Sequence, residues 1–280
     1  MKKINQIYIL YPSGNINAIV GDKIPRKIQT IISRKILKTY NRNKPLNKQI
    51  EQVCFEEKPK NIKAIARLQL TGGEFSGNSA LCLAFLKLKS KGLNKGFIEI
   101  SGAKKLLKAS ISVNGLVTSQ MPSISPRLSS LSQENYQIIF LTGITHIIVA
   151  DFYDKSEAFQ RKKAMKIITN NNLKSELATG IMFIKKIDNK KIKMKPYVYF
   201  KKDVKYGLFK ETACGSGTTA VAVNEYLLRK KVNDLEVIQP TRNSLFITIK
   251  KKKNLLSAKL NLFYYTEILE NLLKIFLIIL

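Results

Sequence analysis

Two stretches of this chain, 138 residues apart, share a layout that few folds accommodate: a strand, a polar turn containing glycine, then a helix of small apolar residues. The first runs from Gly72 to Gly92, GGEFSGNSALCLAFLKLKSKG, and the second from Phe209 to Lys231, FKETACGSGTTAVAVNEYLLRKK. Aligning Ser76-Gly77-Asn78-Ser79-Ala80 with Cys214-Gly215-Ser216-Gly217-Thr218 sets the offset, and a glutamate, Glu74 or Glu211, precedes each turn. The flanks repeat as well. FIEI, LKASISV and LVTSQM follow the first helix as strands with an Asn-Gly hairpin turn, and LEVI, SLFITI and LSAKLNLFYY follow the second. A duplicated unit is expected, with the boundary near Pro122 to Pro126 in the turn-rich PSISPRLSS. Residues 1–125 then form a half carrying Ser76, and residues 126–280 a half carrying Cys214.

Ala80 to Leu86 and Ala220 to Val223 are apolar on several faces, so each helix must be buried, with the strands on either side in sequence wrapping it. The fold class is α/β: two pseudo-symmetric halves, each a curved, mostly antiparallel sheet around a central helix. At 280 residues each half has the size to bury a core of its own. Ser76 and Cys214 fall at helix N-termini, where unpaired N–H groups and the helix dipole favour negative charge.

Two such ends facing one another suit inversion of an amino-acid Cα. That reaction takes a weakly acidic proton from one face and returns one on the other, which needs two opposed acid/base groups. A thiol, with a reference pKa of ~8.5 that falls further at a helix N-terminus, serves well. A substrate carboxylate would accept hydrogen bonds from the N–H groups of Gly77, Asn78, Gly215 and Ser216, where carbanionic charge develops.

At these residues the chain resembles the diaminopimelate epimerase fold family, and within it the histidine racemases of bacterial opine-metallophore pathways. The resemblance runs through Tyr11-Pro12-Ser13-Gly14-Asn15, Glu51-Gln52-Val53, EFSGNSA, Gln120-Met121-Pro122, His146, ETACGSGTTA and Ile238-Gln239-Pro240. It implies that Asn15, Gln52 and Asn78 contact the substrate's amino and carboxylate groups, that His146 and Glu211 set the protonation state of the pair, and that Cys214 is one base. It also implies that no cofactor, pyridoxal phosphate included, takes part. Two departures stand out. Ser76 occupies the position of the family's first catalytic cysteine, and a hydroxyl is a far poorer acid and base near neutral pH, so weak or absent racemisation is expected. Ile144-Thr145 replace the Asn-Pro that precedes the histidine in diaminopimelate-specific members, and the short FKETAC lacks their arginine-bearing loop. A distal amino-acid centre therefore has no evident partner, and a smaller or aromatic amino acid is the expected substrate, histidine by the resemblance. A diaminopimelate epimerase, a proline-type racemase or isomerase of the same fold, and a non-catalytic amino-acid-binding relative are the alternatives.

A formal charge of +30 raises nucleic acid as a partner, but the lysines are scattered, with only a short run at Lys250 to Lys253, and no recognition-helix or zinc-ligand pattern accompanies them. No specific nucleic-acid partner is expected. Cys54, Cys82 and Cys214 form neither a disulfide framework nor a zinc site, which fits a cytoplasmic setting, and Cys54 and Cys82 read as core. One histidine excludes a multi-histidine metal site. Taken singly, Asn15 could merely shape its turn, Glu211 could cap, and His146 could be a satisfied strand residue. Leu272 to Leu280 are apolar apart from Lys274 but far short of the ~20 residues that span a bilayer, so a packing helix is expected there. Composition gives no route to oligomeric state, and a homodimer stays open.

Overall fold

The computed structural model describes residues 4–122, 124, 129–130, 136–141, 143–201, 207–252 and 255–263. The boundary expected at 122–126 falls largely outside them, as do Lys253 and the apolar stretch 272–280. In chain order the elements are β1 (Ile7–Leu10), β2 (Ile16–Val20), α1 (Arg26–Asn41), β3 (Ile50–Glu57), β4 (Ala64–Leu70), α2 (Gly77–Ser90), β5 (Lys95–Ile100), β6 (Leu107–Ile111) and β7 (Leu116–Gln120). Then come β8 (Ser129–Ser130), β9 (Tyr136–Leu141), β10 (Ile144–Val149), α3 (Glu157–Asn170), β11 (Ala178–Lys186), β12 (Lys191–Phe200), β13 (Gly207–Lys210), α4 (Gly215–Arg229), β14 (Val232–Ile238), β15 (Ser244–Lys252) and β16 (Leu255–Phe263).

The duplication shows in the topology, with β8 and β13 as additions to the second half. From β1 to β7 the pairings run antiparallel, parallel, antiparallel, parallel, antiparallel, antiparallel. The series β9, β10, β11, β12, β14, β15, β16 repeats that order. Each parallel step is a crossover, α1 and α2 in the first half and α3 and α4 in the second. The last strands of the two halves, β7 and β16, pair antiparallel and fuse everything into one 16-stranded sheet. Each half thereby covers an edge that would otherwise stand open.

Helix α2 packs against β2, β4, β5, β6 and β7, and α4 against β9, β10, β11, β14, β15 and β16. A single helix reaches strands so far apart only if the sheet curls around it. The buried residues of α2 run from Gly77 to Phe85 plus Leu88, and those of α4 from Gly215 to Glu225. Both helices belong to one continuous core, which differs from the expectation of a separate core in each half. The reason is that their N-terminal ends touch. Two smaller clusters lie beneath α1 and α3, where Ile32 and Ile36, or Ala164, Ile167 and Ile168, pack on the other side of the sheet. No helix among the described residues is long and apolar enough to cross a membrane.

Candidate active site

Ser76 and Cys214 are the N-caps of the two central helices. Each has extended backbone, and each side chain accepts from the amide three residues on: Ser79 N at 3.2 Å from Ser76 Oγ, and Gly217 N at 3.3 Å from Cys214 Sγ. The first-turn amides of Gly77, Asn78, Gly215 and Ser216 have no intrahelical acceptor, as at any helix start. The two ends abut so tightly that a Cβ at Gly77 would lie 3.0 Å from the carbonyl carbon of Gly215. One at Gly215 would lie 2.9 Å from both N and Oδ1 of Asn78. Asn78 Nδ2 donates to Ala213 O at 3.0 Å, tying the first helix to the turn that precedes the second. Glycine at 77 and 215 is what brings two positive dipole ends to one point.

One pocket opens at that junction, lined by Gln52, Glu74, Phe75, Ser76, Asn78, Ile144, Val198, Phe200, Glu211, Cys214, Gly215 and Ser216. Ser76, Cys214, Glu211, Gln52, Asn78, Gly215 and Ser216, singled out from the sequence, therefore meet there. Gly77 sits behind the wall against Gly215, and Asn15 and His146 do not line the pocket. Asn78 Oδ1 is buried with no hydrogen-bond partner among the described residues, and because Nδ2 is committed to Ala213 O its acceptor end cannot turn away.

Ser76 Oγ donates to Gln52 Oε1 at 2.6 Å, and Ser79 Oγ reaches the same oxygen at 2.9 Å and Asn17 Oδ1 at 2.6 Å. Asn17 Nδ2 continues the chain to Asn15 Oδ1 at 2.7 Å, and Asn15 Nδ2 donates to Glu51 Oε2 at 2.9 Å. On the other side Cys214 N donates to Gln239 Oε1 at 3.0 Å, and Gln239 Nε2 donates to Thr218 Oγ1 at 3.1 Å. Asn17, Ser79, Glu51, Thr212 and Gln239 thus support the site although sequence gave them no role. The one signal for Glu51 and Gln239 was their place inside motifs that resemble a family.

The thiol departs from expectation. Burial, reinforced by the Glu211 carboxylate beside it, pushes the Cys214 pKa well above the ordinary thiol range. The helix N-terminus was expected to lower it, but desolvation of a thiolate in a closed pocket outweighs a partial charge. The thiol is therefore held in its protonated form, beside the Glu211 carboxylate and 3.5 Å from the Ser216 hydroxyl. Cys54 and Cys82 are fully buried, and burial pushes Cys54 up to about 12.

His146 is fully buried on β10 with neither ring nitrogen partnered among the described residues, and burial takes its pKa down to about 3. It faces Gly180 across the parallel pair of β10 and β11, as Asn17 faces Gln52 across β2 and β3. The imidazole fills the room that a side chain at position 180 would take. Met182 reaches from there to Gly217 and so stands between the ring and Cys214. Any influence of His146 on the thiol passes through packing, without a direct hydrogen bond.

Among the described residues no group of three or more His, Cys, Asp or Glu is placed to hold a metal ion. Three solved structures share the architecture. A phenazine biosynthesis protein of the PhzF family from Bacillus anthracis has a TM-score of 0.63 at 16% identity, over 93% of this chain and 96% of that one. A predicted epimerase from Pseudomonas aeruginosa has 0.60 at 12%, over 91% and 95%. Methylitaconate-delta-isomerase has 0.52 at 10%, over 94% and 96%. At those identities the likeness is one of fold. Sequence says more. Histidine racemases from two strains of Fusobacterium nucleatum are 30% and 31% identical, each over 82% of this chain and over 83% and 84% of their own lengths. The model of the histidine racemase CntK N-terminal domain matches residues 6–261. The chain belongs to that histidine racemase family.

Proposed function

We propose that this chain is a cofactor-independent amino-acid racemase that binds histidine, with Cys214 as its competent acid/base group and Ser76 as a weak one. The observation that carries this reading is the meeting of two helix N-termini, each capped by a proton-bearing side chain, in one pocket. The substrate carboxylate lies against the amides of Asn78, Gly215 and Ser216, and the orphaned Asn78 Oδ1 accepts from its ammonium. Cα then stands between Ser76 Oγ and Cys214 Sγ. Cys214, protonated at rest, gives its proton to a carbanion on one face, and Glu211 takes the thiol proton when the reaction runs the other way. On the opposite face the Ser76 hydroxyl must lose its own proton to water before it can take the one on Cα, and Gln52 Oε1, to which it donates, is no base for that proton, so turnover is slow.

Pocket chemistry supports histidine over diaminopimelate. Among the described residues no lysine or arginine lines the pocket, and the charged lining residues are Glu74 and Glu211. A distal carboxylate has no cation to meet, whereas an imidazole N–H meets acceptors. The test is incubation of the chain and a Ser76→Cys variant with single L-amino acids in deuterated water. Deuterium should enter Cα of histidine alone, with the cysteine variant faster by roughly 10²-fold or more, the range for one acid/base group. Equal rates in the two proteins would refute the role given to Ser76. No exchange by either with any amino acid would refute the racemase reading and favour a binding relative.

A further inference from the structure

Glu51 and Gln52 are consecutive on β3 and project to opposite sides of the strand. Gln52 holds Ser76. Glu51 reaches the other half: its carboxylate takes Thr212 N at 3.3 Å to each oxygen, takes the Thr212 hydroxyl, and takes Asn15 Nδ2 at 2.9 Å. Thr212 follows Glu211 and lies two residues before Cys214. One dipeptide of the first half therefore grips the cap of its own central helix and the segment that carries the catalytic pair of the second.

We infer that Glu51 is a positioning residue: it clamps the Glu211–Cys214 segment to the first half and so fixes how Cys214 faces Ser76 across the substrate. The inference rests on the proposed racemase reading for its catalytic meaning, while the clamp is testable without turnover. Thr212 N and Asn15 Nδ2 are donors, the Thr212 hydroxyl shares its proton between the carboxylate and Gly14 O, and an ionised carboxylate is a pure acceptor, so the match is chemical as well as geometric. An amide of the same shape loses one acceptor oxygen and the charge that strengthens these bonds. Glu51 is 8% exposed, so water does not make up the loss.

The clamped segment is also a wall. On one side of Glu211 is the pocket, and on the other an open groove lined by Tyr11, Lys210, Glu211, Thr212 and Arg242 among others. Releasing Thr212 loosens that wall and admits reagents to Cys214, which is 4% exposed while it holds.

The experiment is alkylation by iodoacetamide of the full chain, with each cysteine followed by peptide mass spectrometry. Glu51→Gln should raise the Cys214 rate about tenfold, Thr212→Val should raise it in the same direction, and Glu51→Asp should fall between parent and amide. Cys82, buried in α2, is the internal gauge of general loosening. An unchanged Cys214 rate in Glu51→Gln overturns the inference, as does a parallel rise at Cys82, which marks a merely structural residue. If Glu51→Gln does not fold, Thr212→Val decides by the same two criteria. In the Ser76→Cys background Glu51→Gln should lower kcat with little change in KM, and an unchanged kcat overturns the positioning role. A Ser76→Cys protein that fails to exchange any amino acid defeats the racemase reading and leaves the alkylation result standing.

Discussion

Replacing the single histidine should flatten the stability profile of this protein in weak acid. His146 has a folded pKa of about 3 against an ordinary 6.5. The unfolded chain therefore takes up a proton that the native protein refuses. The contribution is fully present above pH 6.5, falls as pH drops through the window from 6.5 to about 3, and is then constant. Across the whole window the difference amounts to about 5 kcal/mol, and between pH 7 and pH 5 to about 2 kcal/mol, at 1.36 kcal/mol per unit. Burial is the cause: among the described residues no carboxylate or hydrogen bond meets either nitrogen. His146→Met keeps an apolar side chain of similar length against Met182 and Gly180 and removes the titration. Urea unfolding of both proteins at pH 7, 6 and 5 should show the parent losing about 2 kcal/mol more than the variant. Carboxylates held below their usual range, such as Glu57 beside Arg26 and Arg67, titrate alike in both proteins and cancel. Because the chain has one histidine, its ring protons are unambiguous in NMR and should not shift between pH 7 and 5. Identical slopes, or a resonance titrating near 6.5, would refute a dry, neutral imidazole beneath the site.

Gly215→Ala should cost about 1–3 kcal/mol in urea unfolding, because the new methyl would lie 2.9 Å from Asn78 N and from Leu260 Cδ2. A change within about 0.5 kcal/mol would mean the helix ends are not in contact. Gln239→Leu leaves the Cys214 amide buried without its acceptor and should cost about 1–3 kcal/mol, whereas a neutral result would show that the amide finds another partner.

The parts of the site that are legible in sequence are local. A small residue run after a Gly turn marks a buried helix, and the residue before it becomes the cap, so Ser76 and Cys214 are locatable from spacing alone. The supporting network is not legible. Asn17, Glu51 and Gln239 are isolated polar residues in or beside strands, with no periodicity to distinguish them from any solvated side chain. Their meaning depends on which residues of the other half arrive beside them, as Thr212 does at Glu51. His146 has the same ambiguity, since only Gly180 on the next strand makes room for it.

The amino-acid order determined a duplicated unit, the two central helices, and the side chain at each helix start, because hydrophobic pattern and turn chemistry act over a few residues. Tertiary structure decided the rest: that β7 and β16 fuse the halves into one sheet, that the helix ends touch, and that the Cys214 thiol is raised where a free helix end would lower it. The physical reason is that dielectric and contact belong to the assembled pocket. How much water reaches a sulfur is set by walls contributed from residues more than a hundred positions away.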